Sequence, residues 1–339
     1  MNTPTPQARP RVLIVATGGT IAGSSAAATG HRYTAGILNI TDLTNAIGPI
    51  GNHINLTAKQ VFSIDSTEMT LADRITIAHT IHTELTNATH QGAPYNGVVV
   101  THGTDTLEDT AFCLHHLLPA QTPIVITGAM LPADAPGADG PANLTDAITI
   151  AASPHAQGCG TLVAFAGRIH TGRDVTKRSA SRIDAFTSDH GPIGETVGGH
   201  PYRLTPAPTP TGQFPITQLP HTLPRVDVAI GLPENAPTNR AIINTAPDGL
   251  IYIGPGSGNV DTANADILEQ ASNNGIKIVR TSRTGGGITD HNGAINDTEH
   301  NWIAGAGHPW HKARILLTLA LAHNPTATTT ELQHLFNHS

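Results

Sequence analysis

The chain has 339 residues and a formal net charge of −7, from 18 basic and 25 acidic side chains. That length suits two domains with separate cores. The acidic balance argues against a nucleic-acid partner, which needs a basic stripe, and against electrostatic docking on anionic membranes.

Other bulk features narrow the class. The two cysteines, Cys113 and Cys159, make neither a CxxC pair nor a disulfide framework. No apolar run reaches the length of a membrane helix. The stretch from Met1 to Pro10 is polar and lacks the apolar core of a signal peptide, so the expected compartment is the cytoplasm. The 20 histidines predict a solubility and stability that depend on pH near roughly 6.

Along the chain, residues 12–16 form a continuous apolar run, the pattern of a strand buried on both faces. Thr17-Gly18-Gly19-Thr20-Ile21-Ala22-Gly23 follows, with glycines that permit a sharp turn and a close approach. Thr20 is thereby presented at a strand end, where open α/β sheets bind their ligands. Residues 71–85 read as a helix. A second apolar strand, 98–100, leads into Thr101-His102-Gly103-Thr104-Asp105-Thr106-Leu107-Glu108-Asp109-Thr110. Leu107, Ala111, Leu114 and Leu118 then fall at helical spacing. Thr104 and Asp105 therefore stand at a strand-to-helix junction, where free N–H groups and the helix dipole favour negative charge. Such a junction suits a small zwitterion or a developing oxyanion. Asp105 and Glu108 also have the spacing of a capping box, which would be purely structural.

Strands at 124–126 and 162–165 flank a helix at 144–152. The β/α alternation predicts a parallel sheet covered on both faces. Pro201, Pro206, Pro208, Pro210, Pro215, Pro220 and Pro224 mark a stiff linker, 200–224, between domains 1–199 and 225–339. The second domain shows strands at 226–230, 250–253 and 276–279 and helices at 262–273, 312–323 and 330–337. Gly18-Gly19 lacks the Lys-Ser/Thr of a P-loop and the spacing of GxGxxG, and no HExxH occurs. His79/His82 and His115/His116 have no carboxylate or thiolate at ligand spacing, so no metal site is expected.

Five segments in order resemble the bacterial-type L-asparaginases, amidohydrolases that use a threonine nucleophile. They are residues 17–23, 64–69, 101–110, 128–144 and 172–177, and the resemblance runs from about Arg11 to about Phe336. It implies a larger N-terminal flavodoxin-like domain and a smaller C-terminal α/β domain. It implies hydrolysis of L-asparagine to L-aspartate and ammonia through an acyl-threonine ester, with no cofactor. Thr20 would be the nucleophile, touched by Tyr33 in a loop that closes over substrate. Thr104, Asp105 and Lys177 would form a charge-coupled triad whose lysine accepts and returns a proton. Asp105 would also hold the substrate α-ammonium group, and Arg173 and Asp174 would brace the lysine loop.

Further roles follow from the same resemblance. Ser66 would receive the α-carboxylate beside the Asp65 backbone, with Gly103 in the same substrate-binding set. Many members have Gly-Ser-Gln where this chain has Asp65-Ser66-Thr67, which bears on asparagine-over-glutamine preference. The Ala129 carbonyl would meet the leaving amide, and the N–H groups of Thr20 and Thr104 would form the oxyanion hole. Asn259, in the turn 254–259, would be presented to a neighbouring subunit's site in a homotetramer of close dimers. Many members add a glutamate further on; Asp290 either replaces it or is a loop aspartate. The alternatives are a broader glutaminase-asparaginase, the amidase subunit of a tRNA-dependent amidotransferase, and a non-catalytic amino-acid sensor. The amidotransferase is disfavoured by the lack of an extension before Arg11 and of a basic RNA-binding surface.

Overall fold

Four short buried strands and one polar edge strand organise the described part of the first unit. The computed structural model describes residues 9–18, 53–203 and 214–339. The chain divides into two compact units, Met1–Gln213 and Phe214–Ser339. In the first, β1 (Arg11–Ala16), β2 (Asn55–Gln60), β3 (Gly97–Thr101), β4 (Ile124–Thr127) and β5 (Thr161–Phe165) pair in parallel, in the order β2-β1-β3-β4-β5. This is the flavodoxin-like order, and its switch point lies between β1 and β3.

The side chains of Val12 to Val15 and Val98 to Val100 have no exposed surface. A strand covered on both faces needs no polar alternation, which is why these runs read as continuously apolar. On one face Val12, Ile14, Val99, Val125 and Leu162 pack with Leu144, Ala147, Ile148 and Ala151 of α3 (Gly140–Ala152). The helices α1 (Leu71–His90) and α2 (Leu107–Leu117) pack on each other, and α2 lies against β5. A capping box starts α1: Thr70 Oγ1 accepts from the Asp73 N–H, and Asp73 Oδ2 accepts from the Thr70 N–H. The helix runs to His90 rather than to 85, because polar residues close its last turn on the exposed side.

Beyond β5 the sheet departs from the expected parallel plan. The strand β6 (Arg168–Thr171) pairs antiparallel with β5. A separate antiparallel ribbon, β7 (Val175–Lys177) with β8 (Phe186–Ser188), follows. The chain then re-enters the main sheet as β9 (Gly194–Val197) and β10 (His200–Arg203), giving eight strands among the described residues. His200–Arg203 lies within the stretch read above as linker. Pro201 fits there because β10 is the edge strand among the described residues, where a missing N–H removes no essential ladder bond.

The second unit is a four-stranded parallel sheet, β11 (Val226–Ile230), β12 (Gly249–Gly254), β13 (Lys277–Ser282) and β14 (Ile303–Ala304), in that order. Its helices are α4 (Ala236–Ile243), α5 (Thr262–Asn273), α6 (Asp297–His300), α7 (Trp310–His323) and α8 (Thr329–His338). Leu250, Tyr252 and Ile278 pack with Ile267, Leu268 and Trp302 in its core. None of the described helices is long and apolar enough to cross a membrane.

Candidate active site

The site grows from the switch point of the larger sheet. Where β1 ends, the Thr17 N–H and hydroxyl both donate to the Thr101 carbonyl, at 3.2 and 2.8 Å, locking the ends of β1 and β3 together. Gly18 follows at φ +107°, and a Cβ there would stand 2.5 Å from the Ile64 carbonyl oxygen. Only glycine permits that backbone and that approach. The close contact brings the loop of Asp65, Ser66 and Thr67 beside the strand ends. Thr20 and Tyr33, the expected nucleophile and its partner, lie outside the described residues.

The loop from Ile64 is shaped by its own side chains. The Asp65 carboxylate caps a short 3-10 turn, Ser66–Glu68, accepting from the Thr67 N–H at 2.9 Å and the Thr67 hydroxyl at 2.8 Å. The Thr67 hydroxyl is therefore already engaged by Asp65. Ser66 is buried and packs on Gly103, where an added Cβ would fall 2.6 Å from Ser66 Oγ. The Thr106 hydroxyl donates to the Ser66 carbonyl at 2.7 Å. Ser66 is thus held against the Thr104 turn by contacts at both Gly103 and Thr106.

Lys177 arrives from β7. Its Nζ lies 3.0 Å from Thr104 Oγ1 and 2.6 Å from Asp105 Oδ1. The lysine side chain is 12% exposed, whereas that of Asp105 is 57% exposed. The amine is shielded while the carboxylate keeps a face open to a ligand. The lysine loop is braced as expected: Asp174 accepts from the Thr171 hydroxyl at 2.9 Å and pairs with Arg173 at 3.2 Å. The capping-box alternative for Asp105 and Glu108 is not how this helix starts. The α2 N-cap is Thr106, without a side-chain cap, and Glu108 Oε2 accepts instead from the Lys177 N–H at 2.9 Å.

Ala129 is buried next to this turn. A Cβ on the preceding Gly128 would lie 2.5 Å from the His102 carbonyl and 3.3 Å from the Thr104 methyl. The loop is rigid for a chemical reason. Asp139 accepts from the Met130 and Leu131 N–H groups at 2.9–3.1 Å, and Asn143 Nδ2 donates to the Gly128 carbonyl at 3.0 Å. The two halves of the 128–144 segment are one hydrogen-bonded unit.

A buried layer beneath the site escaped the sequence reading. His102 Nδ1 sits 2.7 Å from the Gly103 carbonyl and must donate to it, so Nε2 accepts from the Thr110 hydroxyl at 2.8 Å. Arg74 Nε donates to the same Thr110 oxygen, and Arg74 Nη1 to the Met69 carbonyl. Burial lowers the His102 pKa from 6.5 to about 4, against the pull of the Gly103 carbonyl. The ring is neutral and serves as a fixed donor. The polar Arg74 within an otherwise helical apolar face was the available signal.

Asn259 and Asp290 belong to the second unit, and the Lys177 cluster belongs to the first. The Asn259 N–H donates to the Pro255 carbonyl at 2.9 Å, closing its turn, and Ser257 Oγ donates to Asp290 Oδ1 at 2.9 Å. Behind them Arg280 forms two bonds with Asp297, at 2.6 and 2.7 Å, and donates to the Gly258 carbonyl at 2.9 Å.

Two family models cover the chain: asparaginase, N-terminal, over residues 11–207, and glutaminase/asparaginase C-terminal domain, over residues 225–336. The chain belongs to the asparaginase family. It is 33% identical over 335 residues to L-asparaginase 2 of Escherichia coli strain K12, covering 97% of this chain and 93% of that one. It is 34% identical over 332 residues to the glutaminase-asparaginase of Pseudomonas fluorescens biotype A, covering 96% and 89%. Among solved structures, a probable cytoplasmic L-asparaginase from Campylobacter jejuni superposes with a TM-score of 0.85 at 29% identity. That match covers 98% of this asparaginase-family chain and 100% of the other.

Proposed function

We propose that this chain hydrolyses the side-chain amide of L-asparagine, giving L-aspartate and ammonia by way of an ester on Thr20. The observation that carries the reading is the shielded Lys177 amine, within 3.0 Å of a threonine hydroxyl and 2.6 Å of a carboxylate, at the sheet's switch point. Thr20 Oγ attacks the amide carbon, and its proton passes to the departing nitrogen. The C–N bond breaks and ammonia leaves. Water then adds to the ester carbon, giving up a proton through the Thr104–Lys177 pair. The C–O bond to Thr20 breaks, aspartate is released, and the Thr20 hydroxyl is restored. A free hydroxyl is a weak nucleophile, so this proton path is what the reaction needs.

The open carboxylate of Asp105 takes the substrate α-ammonium group, and Ser66 and Gly103 receive the α-carboxylate. The backbone N–H groups of Thr20 and Thr104 hold the oxyanion, each donor contributing about 3–4 kcal/mol in comparable sites. Asn259 completes the site of a neighbouring copy in a homotetramer, and Asp290 stays bound to Ser257 as a brace of that turn. The molecule acts in the cytoplasm, as the Campylobacter neighbour's description has it for that protein.

The test is ammonia release from the purified chain with asparagine and with glutamine, together with its mass in solution. Asparagine turnover by a species four times the chain's mass fits the proposal. Release of no ammonia from either amide would favour a sensor. A broader glutaminase-asparaginase is the second reading, favoured by the Thr67 hydroxyl being bound to Asp65 rather than free to contact substrate. Comparable turnover of both amides would establish it.

A further inference from the structure

We propose that Glu108 is the positioning residue that sets where the Lys177 amine stands. This inference rests on the role of Lys177 given above and adds to it.

Lys177 sits on β7, a strand of three residues in a ribbon that has two strands among the described residues. Isolated two-stranded ribbons are marginal in water. In an antiparallel pair successive residues point their N–H groups to opposite edges. The Arg178 N–H points inward, donating to the Ala185 carbonyl at 2.7 Å. The Lys177 N–H therefore points to the ribbon's outer edge, where no strand of the described residues lies beside it. Glu108 Oε2 occupies that edge and accepts the bond at 2.9 Å.

The carboxylate thus stands in for a missing strand, and its origin matters. Glu108 lies in the first turn of α2, directly after the turn Thr104–Thr106. Thr104 and Asp105 hold the amine end of Lys177, while Glu108 holds its backbone end. One five-residue stretch grips both ends of the same side chain. A lysine stem has several free rotors, so its amine is placed only when its root is placed. The buried Val175 anchors the start of the strand but not the lysine itself. The carboxylate that could have capped α2 is committed to this bond instead.

A shift of about 1 Å in a reacting group can cost about 100-fold in rate. Glu108→Ala is expected to lower kcat for asparagine by about that factor, with KM little changed. Glu108→Gln keeps an acceptor oxygen at the same reach and should retain most of kcat. Glu108→Asp keeps the charge but withdraws the oxygen by one methylene, and should fall close to the alanine variant. The experiment measures kcat and KM for the three variants beside the wild type, with melting temperatures. If Glu108→Ala fails to fold, the glutamine and aspartate variants decide alone. Activity in the aspartate variant with loss in the glutamine variant would overturn the inference in favour of a charge effect. Lower melting temperatures with unchanged kcat throughout would reduce Glu108 to a structural residue. A wild-type chain that releases no ammonia would instead defeat the underlying reading of Lys177.

Discussion

Each unit of the molecule contains an acid–base ion pair next to a glycine-bearing turn, and the two pairs are built in opposite ways. Lys177 and Asp105 meet at 2.6 Å with the carboxylate 57% exposed. Arg280 and Asp297 meet at 2.6 Å with side-chain exposures of 2% and 0%. The buried pair is fully committed: two parallel bonds between the partners, guanidinium bonds to the Ser257 and Gly258 carbonyls, and the Asn292 N–H on Asp297. It fixes backbone and has no capacity left for a ligand. The exposed pair leaves carboxylate surface open and keeps its amine against a hydroxyl. An ion pair that must do chemistry is left partly in solvent, where its partners can be exchanged; one that must hold a turn is dehydrated and saturated.

Substitutions sharpen that contrast, beginning with the largest effect. Thr20→Ala should abolish ammonia release while leaving aspartate binding by calorimetry largely intact. Measurable turnover at the wild-type rate in that variant would refute the nucleophile. In the second unit, Asp297→Ala leaves a buried guanidinium uncompensated and should cost about 3–5 kcal/mol of stability in denaturant unfolding. A loss below about 1 kcal/mol would show the pair to be dispensable.

Acid should separate the buried layer from the surface. His102 and His170 are both pushed from 6.5 to about 4, chiefly by burial. Folded, they stay neutral; unfolded, they take up protons as pH falls through about 6.5. Stability is therefore full above that value and lost progressively as pH falls toward 4, by at most about 3 kcal/mol per ring. Unfolding free energies measured from pH 7 downward should slope accordingly, and His170→Gln should flatten the slope. A profile unchanged by that substitution would contradict the assignment. The smallest effect belongs to a cap: Thr70→Ala should cost about 1 kcal/mol through the start of α1 and leave kcat alone.

How much of this was legible in the sequence follows from burial. The runs at 12–16, 98–100, 124–126 and 162–165 became β1, β3, β4 and β5 because a strand covered on both faces is apolar throughout. The strands β6 to β10 were not visible. They are three or four residues long and mostly polar, and even β6, buried at three of its four positions, carries only one apolar residue, so neither length nor hydrophobicity marks them. Strand β2, Asn-Leu-Thr-Ala-Lys-Gln, is six residues long but buries none of them fully and carries only two apolar side chains, so it too is hidden. Thr104 and Asp105 were legible as a strand-to-helix junction, their grouping with Lys177 came from the family resemblance, and the fold brings Thr104 and Lys177 together across 73 positions of chain. Glu108 was read only as half of a capping box with Asp105, and His102 stood inside a quoted segment without a role. Their partners, the Lys177 backbone and the Gly103 carbonyl, are backbone atoms, and no residue identity announces a backbone bond.

The central claim is that a single shielded amine moves the proton for a threonine ester. The most direct measurement is the steady-state rate of ammonia release by Lys177→Met at saturating asparagine, on protein with a wild-type melting transition. The account predicts a fall in kcat of at least about a thousandfold, which is about 4 kcal/mol of barrier. A kcat equal to wild type, with only KM raised, would contradict it.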